Sequence, residues 1–284
     1  MIGECHAHMI MDGVNYKAAV ALHQDHVCEE AVRRHLKECK DADVLFVRDG
    51  GDAKEVSKLA KILAPEYGIT YRTPVFAIHK RGHYGGIVGH YFEDWKEYRE
   101  LVIRAKEEGA DFIKIMVSGI LDFGHAGTLS EEGLTKEEIK DMIAIAHDAG
   151  MAVMAHCNGD RTCYLTLEAG VDSLEHGFFM EEETLSLLAE KGTPWMPTIA
   201  PVGNLLGCGR FPDEEVQKNL KGQIERVSKA VAKGALIGLG SDAGAYLVPH
   251  GKGTWDEYEY LKRAGVTEDM MGKTEEKIRK IFRR

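Results

Sequence analysis

The sequence predicts an α/β fold, a (β/α)8 TIM barrel, from two observations. Eight short apolar runs alternate with longer amphipathic segments along the 284 residues. The runs are largely continuous in their apolar character, which is typical of parallel strands covered on both faces. Eight strand–helix units in about 250 residues fit a closed barrel better than an open, doubly wound sheet.

The predicted strands are the apolar runs themselves. They cover residues 1–5, 44–51, 73–79, 112–119, 151–156, 171–177, 193–198 and 235–242. Helical patterns fill the intervals, at 25–40, 52–65, 93–109, 135–149, 160–169, 181–191, 213–233 and 255–264. An amphipathic tail that ends in basic residues predicts one further helix after residue 271.

Residues at the helix ends support these boundaries. Ser130 and Thr135 are candidate N-caps, and Glu138 lies three residues beyond Thr135, as in a capping box. Five glycines each end a helical pattern just before a strand, the usual place for a residue in the left-handed conformation. They are Gly109, Gly150, Gly170, Gly192 and Gly234.

Composition narrows the class of protein. A formal net charge of -10 argues against nucleic acid or an anionic membrane as a partner. No apolar run approaches the roughly 20 residues that span a bilayer, and the N-terminus lacks a signal pattern. The six cysteines form no CxxC pair. We interpret them as reduced, and therefore expect a cytoplasmic protein that acts on a small-molecule substrate; a homo-oligomer is compatible with the sequence.

Polar residues that can bind metal or catalyse follow the predicted strands. In a barrel of this class, chemistry takes place at the carboxyl ends of the strands. The first strand leads into a His-x-His pair, whose imidazoles point the same way because side chains alternate along a strand. The full set comprises His6, His8, Lys114, His156, His176 and Asp242.

Each of these residues also has an ordinary structural interpretation when taken alone. Lys114 could extend its amine to the surface, His156 could be a hydrogen-bonded core histidine, and Asp242 could cap the next helix. Chance would scatter such residues over both ends of a barrel. Their common position after or within the strands therefore favours one metal-binding site.

The motifs that surround these residues resemble the amidohydrolase superfamily. They are HAH, VRDGG, RGHYGG, FIKIMVSG, AHCNG, AGVDSLEHG, MPT and GLGSDAG. These motifs are similar to those of the branch with a carboxylated lysine, near imidazolonepropionase-related proteins, Xaa-Pro dipeptidases and zinc-dependent arginine carboxypeptidases. Members usually add a small β-sandwich built from both chain ends. Here we expect residues 1–284 to form a single barrel without it.

The resemblance implies a metal-dependent amidohydrolase with two divalent metal ions, zinc being the expected element. One metal would be held by His6, His8, a carbamate on Lys114, and Asp242. The other would be held by the same carbamate with His156 and His176. A hydroxide bridging the metals would attack a C–N amide bond of a dipeptide or an N-acyl amino acid.

The resemblance and the loop residues also suggest roles around the substrate. Asp242 would act as general base and then general acid. His83 would hold the substrate carbonyl or its carboxylate, and it is a candidate catalytic residue. Tyr84 and Arg161 are candidates for binding the substrate carboxylate, because arginine is a good bidentate partner for that group.

Three alternative functions remain open from the sequence. A one-metal deaminase would lack the strand lysine and carry a glutamate soon after His156, whereas the next glutamate here is Glu168. The same metal centre would also serve a lactone, cyclic imide or phosphoester hydrolase. A non-catalytic metal-binding barrel is the third alternative, although a decayed site would be expected to lose ligands.

Overall fold

Parallel strands and helices alternate along the chain in the computed structural model, which describes residues 2–283. The strands are β1 (Ile2–Ala7), β2 (Val44–Asp49), β3 (Thr70–Arg72), β4 (Ala77–Lys80), β5 (Gly89–Phe92), β6 (Ile113–Met116), β7 (Val153–Cys157), β8 (Ser173–His176) and β9 (Trp195–Met196). This α/β architecture with its parallel sheets confirms the predicted fold class.

Eleven α-helices are described between residues 2 and 283, together with a 3-10 turn at Ala64–Tyr67. They are α1 (Tyr16–Ala21), α2 (Glu29–Asp41), α3 (Val56–Leu63), α4 (Trp95–Glu107), α5 (Lys136–Asp148), α6 (Asp160–Glu168), α7 (Glu182–Lys191), α8 (Ala200–Gly203), α9 (Asp213–Ala232), α10 (Lys252–Arg263) and α11 (Glu268–Ile281). The longest described helix, α9, has 20 residues. None of the helices within residues 2–283 combines the length and the apolar character needed to cross a membrane.

The predicted helix ends agree closely with the structure. Thr135 and Glu138 form the expected capping box at the start of α5. All five glycines that were predicted to end helices have a positive φ, between 61° and 90°. The predicted helices are all present, whereas the short α1 and α8 were not predicted. Segments of six and four residues are too short to show a helical period.

The strands form two parallel sheets, ordered β1-β2-β3 and β5-β4-β6-β7-β8-β9. The segment 236–243 runs between β9 and β1. Trp195 donates its backbone N–H to Leu236 O at 2.9 Å, and Cys5 and His8 donate theirs to Leu239 O and Ala243 O at 2.8 and 2.7 Å. These bonds join the end of the second sheet to the start of the first.

Two predicted strands differ from the structure. The third, at 73–79, overlaps only β4, because Pro74 has no N–H to donate and Val75 adopts a positive φ of 66°, and β3, which ends before it at Arg72, was not predicted. The eighth, at 235–242, makes bonds to both neighbours but forms no regular strand. Gly238 and Gly240 lie so close to Met196 and His6 that a Cβ on either glycine would approach within 3 Å. The four-residue β5, which pairs with β4, was not predicted.

An apolar layer fills the interior beneath the polar strand ends. It is formed by Cys5, Phe46, Phe112, Met154 and Met196, with Ile278 of α11 and Phe282 packed against them. Phe46, Phe112 and Met154 each precede a polar residue of the same strand by two positions, and therefore share its face. Those polar residues are Arg48, Lys114 and His156.

Candidate metal centre

The three ligands predicted from the two chain ends lie together. Asp242 Oδ1 is 3.6 Å from His6 Nε2 and 3.5 Å from His8 Nε2. One ligand atom from each of the three residues lies within 4.8 Å of the others. The segment 236–243 makes this possible, because Asp242 donates its backbone N–H to His6 O at 2.8 Å.

The other predicted ligands continue this cluster across the strand ends. The ring of His176 lies 4.9 Å from that of His6 and 4.5 Å from that of His156, measured between centroids. Lys114 is fully buried within β6, and its side chain lines the same cavity as His8, His156, His176 and Asp242. The structure therefore brings all six predicted ligands to one place.

Two of the ligands adopt left-handed backbone conformations. His176 has a φ of 68° and Asp242 a φ of 58°, each at the end of its strand segment. Such a conformation costs about 1–3 kcal/mol in a non-glycine residue and persists only where surrounding contacts impose it. In both cases the backbone turns at the point where the side chain enters the cavity.

Three of the imidazoles are oriented by a hydrogen bond through one ring nitrogen. His6 Nδ1 contacts Glu175 Oε2 at 2.6 Å, His176 Nδ1 contacts Thr198 Oγ1 at 2.8 Å, and His156 Nε2 contacts Gly119 O at 3.1 Å. Each contact leaves the opposite nitrogen for another partner. This arrangement is the one that orients metal-binding histidines in proteins.

Burial determines the protonation of the site. Burial, reinforced by the nearby Lys114 charge, lowers the pKa of His8 and of His156 to about 3. Burial also holds the pKa values of His6 and His176 well below their usual range. The imidazoles are therefore neutral at pH 7, which is the form that binds metal.

The pKa values of the other two predicted ligands, Lys114 and Asp242, are also shifted in ways that suit metal binding. Burial lowers the pKa of Lys114 to about 8, so that about a tenth of the amine is neutral at pH 7, far more than for an ordinary lysine. Burial raises the pKa of Asp242 to about 7. A neighbouring divalent cation would lower that pKa again and hold Asp242 as a carboxylate.

Unpartnered buried atoms test whether the residues fit metal ions. His6 Nε2, His8 Nδ1 and Lys114 Nζ are buried and have no hydrogen-bond partner among the described residues. Orphaned buried polar atoms are rare in native proteins and need an explanation. A set of neutral imidazoles, a carboxylate and a neutral amine that CO2 can convert to a carbamate fits divalent metal ions.

A cavity of about 440 Å³ opens onto this cluster. Tyr84 lines it, with its ring centroid 5.2 Å from that of His156. His83 does not line it, and its Nδ1 lies 3.6 Å from Glu131 Oε1 in a partly exposed pair. Arg161 is exposed in the first turn of α6, beside the inward-facing Thr162, and also does not line it.

Sequence reasoning missed several residues around the site. Glu175 and Arg48 form a fully buried ion pair at 2.8 Å, and Glu175 also contacts His6. Arg48 lies in the VRDGG motif, but no local pattern indicates its partner, which is 127 residues away. Arg210 and Tyr246 line the cavity from loops that no periodic pattern marks.

Known proteins with similar sequences and folds indicate the family of this chain. The model of the amidohydrolase family matches residues 5–278. The chain belongs to the amidohydrolase family. This match confirms the resemblance seen in the motifs around the strand ends.

Curated relatives of this amidohydrolase align with part of the chain. An uncharacterized protein of Mycobacterium tuberculosis is 32% identical over 135 residues, which is 45% of this chain and 36% of that protein. Ochratoxinase of Aspergillus niger is 26% identical over 183 residues, which is 61% of this chain and 36% of that enzyme. The alignments thus span about a third of the length of these relatives.

Solved structures share the fold of the amidohydrolase chain. A Xaa-Pro dipeptidase with methionine bound in its active site has a TM-score of 0.76 and 24% identity, over 93% of this chain and 70% of that one. The A. niger ochratoxinase structure has a TM-score of 0.74 and 20% identity, over 94% and 67%. Family and fold together support a hydrolytic enzyme.

Proposed function

We propose that this chain is a metal-dependent hydrolase that cleaves the C–N amide bond of a small substrate, a dipeptide or an N-acyl amino acid. The observation that carries the proposal is the partnerless, fully buried amine of Lys114 among neutral imidazoles. An isolated buried amine is costly for a structural protein, whereas a metal centre gives it a use. The dipeptidase and ochratoxinase relatives support amides as the substrate class.

In this proposal two divalent ions, zinc first among the candidates, share the site. His6, His8 and Asp242 would hold one ion and His156 and His176 the other, and Lys114, as a carbamate, would supply further oxygen ligands. When bound, the ions lower the pKa of water to about 7 and polarise the substrate carbonyl.

Lys114 would bind the ions as a carbamate. The neutral amine forms an N–C bond to CO2 and releases one proton, which gives an anionic group with two oxygens. Its reduced pKa of about 8 makes the neutral amine available. The product needs cations beside it, because burial of an unpaired anion is costly.

Asp242 would carry the proton during hydrolysis. Its Oδ1 lies between His6 and His8, and 19% of its side chain is exposed, toward the cavity. The carboxylate would accept a proton from the attacking water and return it to the leaving nitrogen, as general base and then acid. Tyr84, across the cavity beside His156, would contact the substrate near the scissile bond.

The experiment is a substrate screen with the metal-reconstituted protein and its Asp242→Asn variant. Dipeptides, N-acyl amino acids, lactones, cyclic imides and phosphotriesters would be compared, and we expect turnover of amides. Asparagine keeps the shape and the metal but cannot accept the proton, so turnover should fall by at least about a hundredfold. The exposed Asp148→Asn on α5 is the matched control.

Two results would contradict this proposal. Turnover of esters or phosphotriesters with every amide inert would refute the amide assignment. Near-normal turnover by a metal-loaded Asp242→Asn protein would show that another group carries the proton. Melting temperature and metal content, measured on the same preparations, separate a chemical loss from unfolding.

A further inference from the structure

One charged residue of the cavity wall has no place in the metal centre. Among the residues that line the cavity, Lys114, Asp242 and Arg210 carry formal charges, and the first two belong to the proposed metal site. Most of the remaining wall is apolar or aromatic, with Phe123, Phe178 and Leu205 among its residues. Arg210, an exposed residue, therefore adds a cation to a largely apolar cavity wall outside the proposed metal site.

Two aromatic rings make cation–π contacts with the Arg210 guanidinium. Its Cζ atom lies 4.7 Å from the ring centroid of Tyr246 and 5.4 Å from that of Phe211. The ion pairs of residues 2–283 do not include Arg210, whereas they include six other arginines. A cation–π contact uses none of the guanidinium N–H donors in an ordinary hydrogen bond, so these donors remain available to a ligand.

The loops around Arg210 are anchored rather than loose. Phe211 packs on Phe123 with ring centroids 5.4 Å apart, which joins two loops across the cavity rim. Ala126 donates its backbone N–H to Glu215 Oε2 at 2.8 Å, so the loop of Phe123 is bound to α9. Gly207 donates to Asp213 Oδ1 at 2.8 Å, so the loop of Arg210 is bound to the same helix.

We propose that Arg210 binds the carboxylate of an N-acyl amino acid whose acyl group and side chain are bulky and apolar. This inference rests on the proposed amide hydrolysis. A free guanidinium fork recognises a carboxylate through two parallel hydrogen bonds. A cavity of about 440 Å³ with apolar walls suits a ligand with a large apolar part. Of the three residues predicted from sequence for this carboxylate, Tyr84 lines the cavity, whereas His83 and Arg161 do not.

The test compares two substrates that differ only in the carboxylate. N-hexanoyl-L-phenylalanine and N-hexanoyl-L-phenylalaninol contain the same amide bond, but the second is neutral. We expect the wild type to prefer the acid, mainly through KM. Arg210→Ala should lower kcat/KM for the acid by about 10–100-fold, as expected for one charged hydrogen-bonding pair, and leave the alcohol unchanged. Arg210→Lys should fall between the two.

Arg263→Ala is the matched control. Arg263 is exposed on α10 and stacks on Tyr260 at 5.2 Å, so it reproduces the cation–π contact without lining the cavity. We expect both substrates to react with this variant as with the wild type. A loss of acid preference in Arg263→Ala would mean that long-range charge, and not contact with Arg210, selects the acid.

Binding to an inactive protein separates this inference from the hydrolytic function. In the metal-loaded Asp242→Asn background, calorimetry should show at least about tenfold weaker binding of the acid when Arg210→Ala is added, and no change for the alcohol. Equal binding of the acid with and without Arg210 would overturn the inference. Absence of any amide turnover, with Arg210-dependent binding intact, would instead refute the proposed function and leave the carboxylate site standing.

Discussion

Replacing Glu175 with glutamine removes the negative charge that joins His6 to Arg48 inside the barrel. Glu175 Oε2 contacts His6 Nδ1 at 2.6 Å, and Oε1 contacts Arg48 Nη2 at 2.8 Å and Ser173 Oγ at 2.6 Å. Glu175, His6 and Arg48 have 0% exposed side-chain surface. Glutamine has nearly the same shape, so the change tests the charge with little loss of packing.

Two effects of different kind follow from this geometry. Breaking one side of a buried ion pair costs about 3–5 kcal/mol, because the Arg48 charge is left uncompensated. An unfolding entropy of about 0.6 kcal/mol/K for 284 residues converts this into a fall of roughly 5–8 °C in Tm. The loss of a carboxylate behind a metal-binding histidine should also weaken metal affinity about 10–100-fold.

The assays are thermal melting of metal-free protein and metal competition against a chelator. Glu190→Gln, at an exposed position of α7, is the control and should change neither quantity. If Glu175→Gln melts and binds metal like the wild type, the carboxylate neither balances Arg48 nor orients His6. The reasoning about the interior would then be wrong.

A double variant separates stability from metal affinity. Replacing Glu175 by leucine and Arg48 by methionine together removes both buried charges, which in other proteins is neutral or stabilising. We expect most of the lost Tm to return. Metal affinity should stay low, because His6 Nδ1 still lacks an acceptor. Recovery of both quantities would mean that Glu175 acts on the metal only through stability.

Two further predictions concern Lys114 and the pH dependence of stability. Lys114→Ala should lose bound metal and most turnover, with partial recovery when short carboxylic acids are added, whereas a metal-replete and fully active variant would exclude the carbamate. Burial lowers the pKa of His250 to about 4 and of His35 to about 2, so between pH 6.5 and 4 the unfolded chain binds more protons than the folded one. The unfolding free energy of metal-free protein should therefore fall with decreasing pH, by about 2 kcal/mol per histidine at pH 5, and a His35→Gln, His250→Gln protein should show a shallower decline in denaturant titrations. An unchanged slope in the double variant would show that these two rings do not titrate as their burial requires.

The fold class and the convergence of the site follow from regularities that sequence carries directly. Parallel strands end on one side of a sheet, so His6, Lys114, His156 and His176 were expected to meet. They do meet, because each follows or lies within a strand whose period is two. The helix ends were equally predictable, because Thr135 and the glycines that end helices determine the conformation of the backbone next to them.

The features that were not predicted from sequence depend on contacts between distant parts of the chain. The Glu175–Arg48 pair spans 127 residues, and no local pattern announces it. The irregular segment 236–243 follows from how closely Met196 and His6 approach its glycines. Loop residues have no period, so sequence pointed to His83 and Arg161 for the substrate, whereas the structure places Arg210 at the cavity.

The proposed dependence of amide hydrolysis on two metal ions is tested most directly by a metal titration in which turnover and metal occupancy are measured together. Protein stripped of metal would be titrated with zinc in the presence of bicarbonate, and hydrolysis of the best amide would be followed at each point alongside elemental analysis. We expect no turnover without metal and a plateau of turnover at two ions per chain. Full amide turnover in the stripped protein, or a plateau at one ion or fewer, would contradict this expectation.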